Sequence, residues 1–235
     1  MPWSTARTIG QQVTPAASAA SGCWQLGEVE NARRSLSWPG GPYTANFSYV
    51  ALLITESLAD DSLTGKTFTG GSLSSTAKIG QYGISAATAM QFADAFPFGT
   101  SDWSVDLWFY LSASLSTSTE IFESDTSSGL RIILLSTGAL RLSRTADVVL
   151  DTSAMSWNAS QWYHLAFCRT VSNSVDTYSI YRDGSLEASV TTGNVRDYLS
   201  RTDYAVGESG NSFIFDNLRV TIGVSQFDGP FTPPE

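Results

Sequence analysis

From Val50 onward, apolar side chains recur mainly at every second position, the period of a half-buried β-strand and not the 3.6-residue period of a helix. Val50–Ile54, residues 66–69 and Met90–Phe92 are the first short strand candidates, the second bounded by Gly65 and the Gly70-Gly71 turn. The clearest alternation sets Trp103, Val105, Leu107 and Phe109 on one face against Ser104, Asp106, Trp108 and Tyr110 on the other. A strand that buries its first face and carries large side chains on its second belongs in the centre of a sandwich or beside a covering loop. Further candidates follow at Thr119–Ser124 and at residues 130–135, 139–143, 162–169, 178–182, 186–191, 205–207 and 217–221. Ser136-Thr137-Gly138 reads as a compact turn, and Asp183-Gly184 is a strong hairpin signal. The alanine-rich stretch 85–96 ends at Pro97 and allows at most a short helix. Ten or more strands at roughly 8–15-residue spacing predict an all-β, two-sheet antiparallel sandwich. A propeller would need a blade repeat, and the sequence has none.

The first 48 residues are of another kind. Residues 14–21 are small and polar, as in an extended arm. Trp24, Leu26 and Val29 mark the apolar side of one helical turn, with Arg33 and Arg34 near its C-terminal end, where positive charge is favoured. Pro39-Gly40-Gly41-Pro42 stops it. The segment holds Trp3, Trp24 and Trp38 but is too short to bury them alone, so they pack on the main domain or on a partner. The expected division is an N-terminal arm at 1–48 and a sandwich at 49–235, with Trp24, Leu26, Val29, Arg33 and Trp38 as the attachment surface. Tyr43, Phe47 and Tyr49 are packing anchors at the junction, and Pro233-Pro234 stiffens the exit from the last strand.

Composition narrows the partners. A chain of 235 residues buries roughly 70% of its potential surface and folds without disulfides or metal. Its 35 Ser and 24 Thr favour exposed strand faces and turns over surface helices. A net charge of −9 leaves no basic stripe to release phosphate counterions, which excludes nonspecific nucleic-acid binding. Cys23 and Cys168 read as free thiols from a reducing compartment. Arg7 is not followed by a continuous apolar core, so no signal peptide is expected, and no apolar run reaches membrane-spanning length.

Four segments carry a family resemblance: Trp103 to Tyr110, Gln161 to Phe167, Ile180 to Gly184, and Phe215 to Val220. Their order and spacing resemble the laminin-G-like, or concanavalin-A-like, jelly-roll lectin/glucanase superfamily. The run from Phe215 to Phe227 followed by Phe231-Thr232-Pro233-Pro234 resembles the closing segment of such modules in tailed-bacteriophage structural proteins, and Gly22 to Leu26 with Trp38-Pro39 resembles segments beside them. The resemblance implies a non-enzymatic virion component: a capsid decoration, head fibre or tail-associated protein anchored by its arm, with capsid or tail proteins as partners. By analogy with phage appendages it also implies a homo-oligomer, although no heptad marks a coiled coil. The alternative is a carbohydrate-binding surface module for host adhesion, which needs an exposed aromatic platform with polar groups beside it.

Catalysis finds no support. His164 is the only histidine, which excludes a multi-histidine metal site, and it reads as a structural strand residue. Cys168 lies four positions further along the same strand, about 13 Å away and out of reach as a nucleophile paired with His164. No G-x-S-x-G elbow surrounds a serine. Glu123 and Asp125 can share a strand face, and carboxylates about 5–5.5 Å apart suit retaining glycoside hydrolysis. Their order and spacing nevertheless depart from the glucanase pattern that the resemblance brings. No cofactor is expected. Calcium is the one ion the resemblance leaves open, with scattered candidate oxygens at Asp60, Asp61, Asp94, Asp102, Asp125 and Asp147.

Overall fold

The computed structural model of the chain describes residues 49–55, 57–62, 65–92, 98–124, 129–144, 147–193, 195–198, 204–207 and 213–234. These residues form two antiparallel sheets. The eight-stranded sheet runs β13 (Ser185–Thr192), β12 (Val175–Arg182), β11 (Trp162–Ser172), β6 (Trp103–Leu111), β15 (Phe213–Ile222), β4 (Gly83–Ser85) and β3 (Ser72–Ser74). Its remaining strand, β1 (Val50–Ile54), pairs with the C-terminal half of β15. The seven-stranded sheet runs β10 (Asp147–Asp151), β9 (Leu140–Arg144), β8 (Leu130–Leu134), β7 (Thr119–Ser124), β14 (Tyr204–Val206), β5 (Met90–Phe92) and β2 (Phe68–Thr69). This is the expected jelly-roll sandwich, with the core between the sheets: Val105, Leu107, Phe109, Leu165, Phe167, Phe215 and Val220 from the first meet Phe92, Phe122, Ile132, Leu142 and Tyr204 from the second.

Two hairpins of the first sheet turn on residues that tolerate left-handed backbone. Asn173 and Ser174 sit at φ 51° and 62°, and Asp183 and Gly184 at 51° and 79°. Successive positive φ values twist a two-residue turn with the strands it joins. The first pair carries β11 and β12 well past the ends the apolar pattern marks, to Ser172 and from Val175.

The central strands are buried on both faces. In β6 both Val105 and Asp106, and both Leu107 and Trp108, are buried, so the alternation marks two environments and not core against solvent. The cover over the second face is the chain's own C-terminal tail. Phe227 and Phe231 stack at 3.8 Å and pack on Ala166, Cys168 and Tyr181. Phe231 N donates to Gly184 O at 3.0 Å, fixing the tail to the β12–β13 hairpin.

Under the tail lies a buried charge cluster. Arg219 on β15 donates Nε and Nη2 to the two carboxylate oxygens of Asp106 on β6, at 2.9 and 3.1 Å. The His164 Nε2 stands 3.4 Å from Asp106 Oδ2, within ion-pair range but long for a hydrogen bond. Burial alone would push the Asp106 carboxyl up, but Arg219 foremost, then His164, hold it below the ordinary aspartate value. A second buried pair closes the other end of β11: Arg169 Nη2 donates to Asp176 Oδ1 at 2.9 Å, and its Nη1 reaches the carbonyls of Gly99 and Ser101.

Candidate functional site

Beyond the tail, the outer face of the long sheet carries an aromatic pair. Strand register puts Trp162 of β11 directly opposite Tyr110 of β6, with Ile214 of β15 next in the row. The two rings lie 5.1 Å apart at 47° and both are half-buried, so part of each faces solvent. The turn before Trp162 is fixed by Ser160, at φ 61°, whose N donates to Leu111 O at 2.9 Å. It presents exposed Asn158 and Gln161, joined by a 3.0 Å hydrogen bond from Asn158 Nδ2 to Gln161 Oε1.

The next row inward is Trp108 opposite His164, in an edge-to-face contact at 5.2 Å. Lys78 is exposed, and its Nζ lies 4.3 Å from the Trp108 ring centroid. Its loop is held there by Asp216, whose Oδ2 accepts from the backbone N of Lys78 and of Ile79, each at 2.9 Å. Asn217 Nδ2 donates to the other oxygen of Asp216 at 3.0 Å, and the register that pairs Asp216 with Trp108 sets the two on the same face of the sheet. Tyr110, Trp162 and Lys78 thus line one continuous strip.

The candidate catalytic groups among the described residues are committed to the fold. His164 is sealed between Trp108, Phe227 and Phe231. Burial pushes the Cys168 thiol up to about 12, and a hydrogen bond with Ser225 offsets only part of that. Glu120 and Glu123 face Arg131 of the neighbouring strand in ion pairs, and Asp125 lies outside the described residues.

Among the described residues the candidate calcium ligands do not converge. Asp60 accepts from Leu53 N, Ser62 N and Oγ, and Lys66 N, and Asp61 accepts from Thr55 Oγ1. Asp102 accepts from Val171 N, Asp147 begins β10, and Asp94 lies outside the described residues. Among the described residues no three His, Cys, Asp or Glu side chains form a metal-binding group. The expected attachment residues Trp24, Leu26, Val29, Arg33 and Trp38, with Tyr43, Phe47 and Cys23, also lie outside the described residues. Tyr49 is 48% exposed, with one edge of its ring against Gly223.

Fold and face define a two-sheet β-sandwich whose long sheet carries a half-buried aromatic pair on its outer face. Residues 85–222 match the concanavalin A-like lectin/glucanases superfamily, and the chain belongs to it. No curated protein sequence matches the chain. Among solved structures it is similar to the receptor-binding domain of a botulinum neurotoxin C/D mosaic serotype, at 12% identity and TM-score 0.60 over 77% of this chain and 49% of that one. It is also similar to a botulinum neurotoxin DC binding domain in complex with rat synaptotagmin II, at 11% identity and TM-score 0.57 over 75% and 49%. A third is a botulinum neurotoxin type C structure, described with that toxin's dependence on two ganglioside molecules for cell entry, at 11% identity and TM-score 0.57 over 75% and 48%. The chain spans about half the length of these chains.

These matches overturn the expected virion role. The family is one of lectins and glucanases and the similar structures are toxin receptor-binding domains, so neither the capsid-decoration, head-fibre or tail reading nor capsid and tail partners stand. The homo-oligomer rested on the same phage analogy and loses that support.

Proposed function

We propose that this sandwich is a carbohydrate-binding module for cell-surface recognition, with Tyr110 and Trp162 as its sugar platform. The observation that carries the reading is the half-exposed, register-matched aromatic pair on an otherwise hydroxyl-rich or covered sheet face. The C–H face of a pyranose is apolar and weakly positive, and an aromatic ring offers it a flat apolar area with a negative π face. Sugar hydroxyls need polar partners at the platform edge, and the exposed amides nearest in sequence are Asn158 and Gln161, in the turn that leads into Trp162. Superfamily membership and the receptor-binding neighbours favour the same class of ligand.

The test is a glycan array followed by titration calorimetry on the strongest hit, comparing the native chain with Trp162→Ala and Tyr110→Ala. Each substitution is expected to weaken binding by about tenfold or more, near 1.4 kcal/mol. Circular dichroism melting serves as the folding control. Absence of binding across the array, or native affinity in both variants, overturns the proposal.

A further inference from the structure

We infer that the preferred glycan is acidic, carrying a carboxylate or sulfate group that Lys78 receives beside the aromatic platform. The inference rests on the reading of Tyr110 and Trp162 as that platform and adds the charge of the ligand. Trp108 and Tyr110 are alternate residues on one face of β6, which sets them about 7 Å apart along the strand. The ammonium above Trp108 therefore lies about one pyranose width from the ring pair, where a charged substituent of a stacked sugar falls.

Lys78 differs from the other well-placed cations. Arg131, Arg141, Arg169, Arg182 and Arg219 are each engaged by a carboxylate. Among the described residues Lys78 has an indole face and no ion-pair partner. Asp216, the acid of this loop, bonds the backbone N–H groups of Lys78 and Ile79 and not the ammonium. Two hydrogen bonds hold the loop and a cation–π contact holds the side-chain end, so little ordering is left for the moment of binding. A neutral glycan would leave this preset charge unused.

The net charge of −9 opposes anions at long range. At physiological salt, however, charges beyond about 8 Å are largely screened, and the short contact decides. The ammonium acts as a compact point donor, satisfied equally by carboxylate or sulfate oxygens.

The experiment uses matched sets of neutral, sialylated, uronic-acid-containing and sulfated oligosaccharides on an array. Calorimetry then follows on the strongest acidic hit and its neutral parent, with the native chain, Lys78→Gln, Lys78→Arg and Trp162→Ala. The acidic member is expected to bind about tenfold tighter than its parent, from one added charge-assisted hydrogen bond. Lys78→Gln brings the ratio of acidic to neutral affinity down to about one, Lys78→Arg keeps the ratio, and Trp162→Ala weakens both ligands together. Equal affinity for the matched pair, or a preference that survives Lys78→Gln, overturns the inference while the sugar platform stands. Failure of every glycan to bind the native chain overturns the platform itself. The sulfated and carboxylated arms identify which acid group is taken.

Discussion

Replacing Asp106 with asparagine keeps the shape of the buried cluster and removes its only carboxylate. Arg219 is 1% exposed, and its two hydrogen bonds to Asp106 join the neighbouring strands β6 and β15 at the centre of the long sheet. The variant leaves a guanidinium buried with no counter-charge, under a tail that water does not reach. Breaking a buried pair from one side costs about 3–5 kcal/mol, a large share of the roughly 5–15 kcal/mol that a domain of this size has. At roughly 2–4 °C per kcal/mol the melting temperature falls by about 6–20 °C. Asp106→Asn combined with Arg219→Met removes both charges and is expected to recover much of the loss, and with Arg219→Met alone as the fourth corner the cycle gives the coupling of the pair. Urea unfolding of all four proteins measures these terms. The pH dependence follows from the depressed carboxyl: its folded value lies below the ordinary 3.8, so its stabilisation is complete above 3.8 and is lost as pH falls through the folded value. The gap between native and Asp106→Asn proteins should be flat near neutrality and narrow on acidification below that point. A loss under about 1 kcal/mol, the range of an exposed pair, or a gap that widens with acid, refutes the account of this cluster.

Arg141→Ala is the contrast: its pair with Asp151 lies at 2.7 Å on the surface with side chains about a third exposed, and the cost in urea unfolding should stay below about 1 kcal/mol. Gly184→Ala should loosen the tail, because the residue sits at φ 79° and a Cβ there runs into the Phe231 carbonyl oxygen. In a Cys23→Ser background, Cys168 is expected to resist a thiol reagent at pH 8 in the native fold and to react faster in Gly184→Ala. Arg169→Met strands buried Asp176, which also receives Tyr178 Oη and Arg196 N, and should cost about 3–5 kcal/mol by the same assay.

Much of this architecture is legible in the amino-acid pattern because sheet residues declare themselves by alternation. Val50–Ile54, Met90–Phe92 and Thr119–Ser124 coincide with the predicted strands. β3 and β4 were hidden by brevity, at three residues each, and β10 by having Leu150 as its one buried side chain. The apolar pattern understates the long hairpin of β11 and β12 because Asn173-Ser174 is a weaker turn signal than Asp183-Gly184, although both adopt positive φ. The burial of the second face of β6 depends on where the tail lands, which no local pattern encodes. The same holds for the site. Alternation already sets Tyr110 on the face opposite Trp103 and Phe109, but only the register that pairs it with Trp162 separates it from Trp108, which shares its face and is buried. Lys78 reaches the face through hydrogen bonds to Asp216, 138 positions away.

The central claim, that this sandwich binds a glycan on the Tyr110–Trp162 strip, is tested most directly by titrating the strongest array hit into isotopically labelled protein and following amide and indole resonances. The account predicts saturable shifts concentrated at Tyr110, Trp162, Asn158, Gln161 and Lys78, with the buried Trp103 indole unmoved. Shifts centred on the outer face of the second sheet, around Arg131 and Arg141, or none at all on this strip, would contradict it.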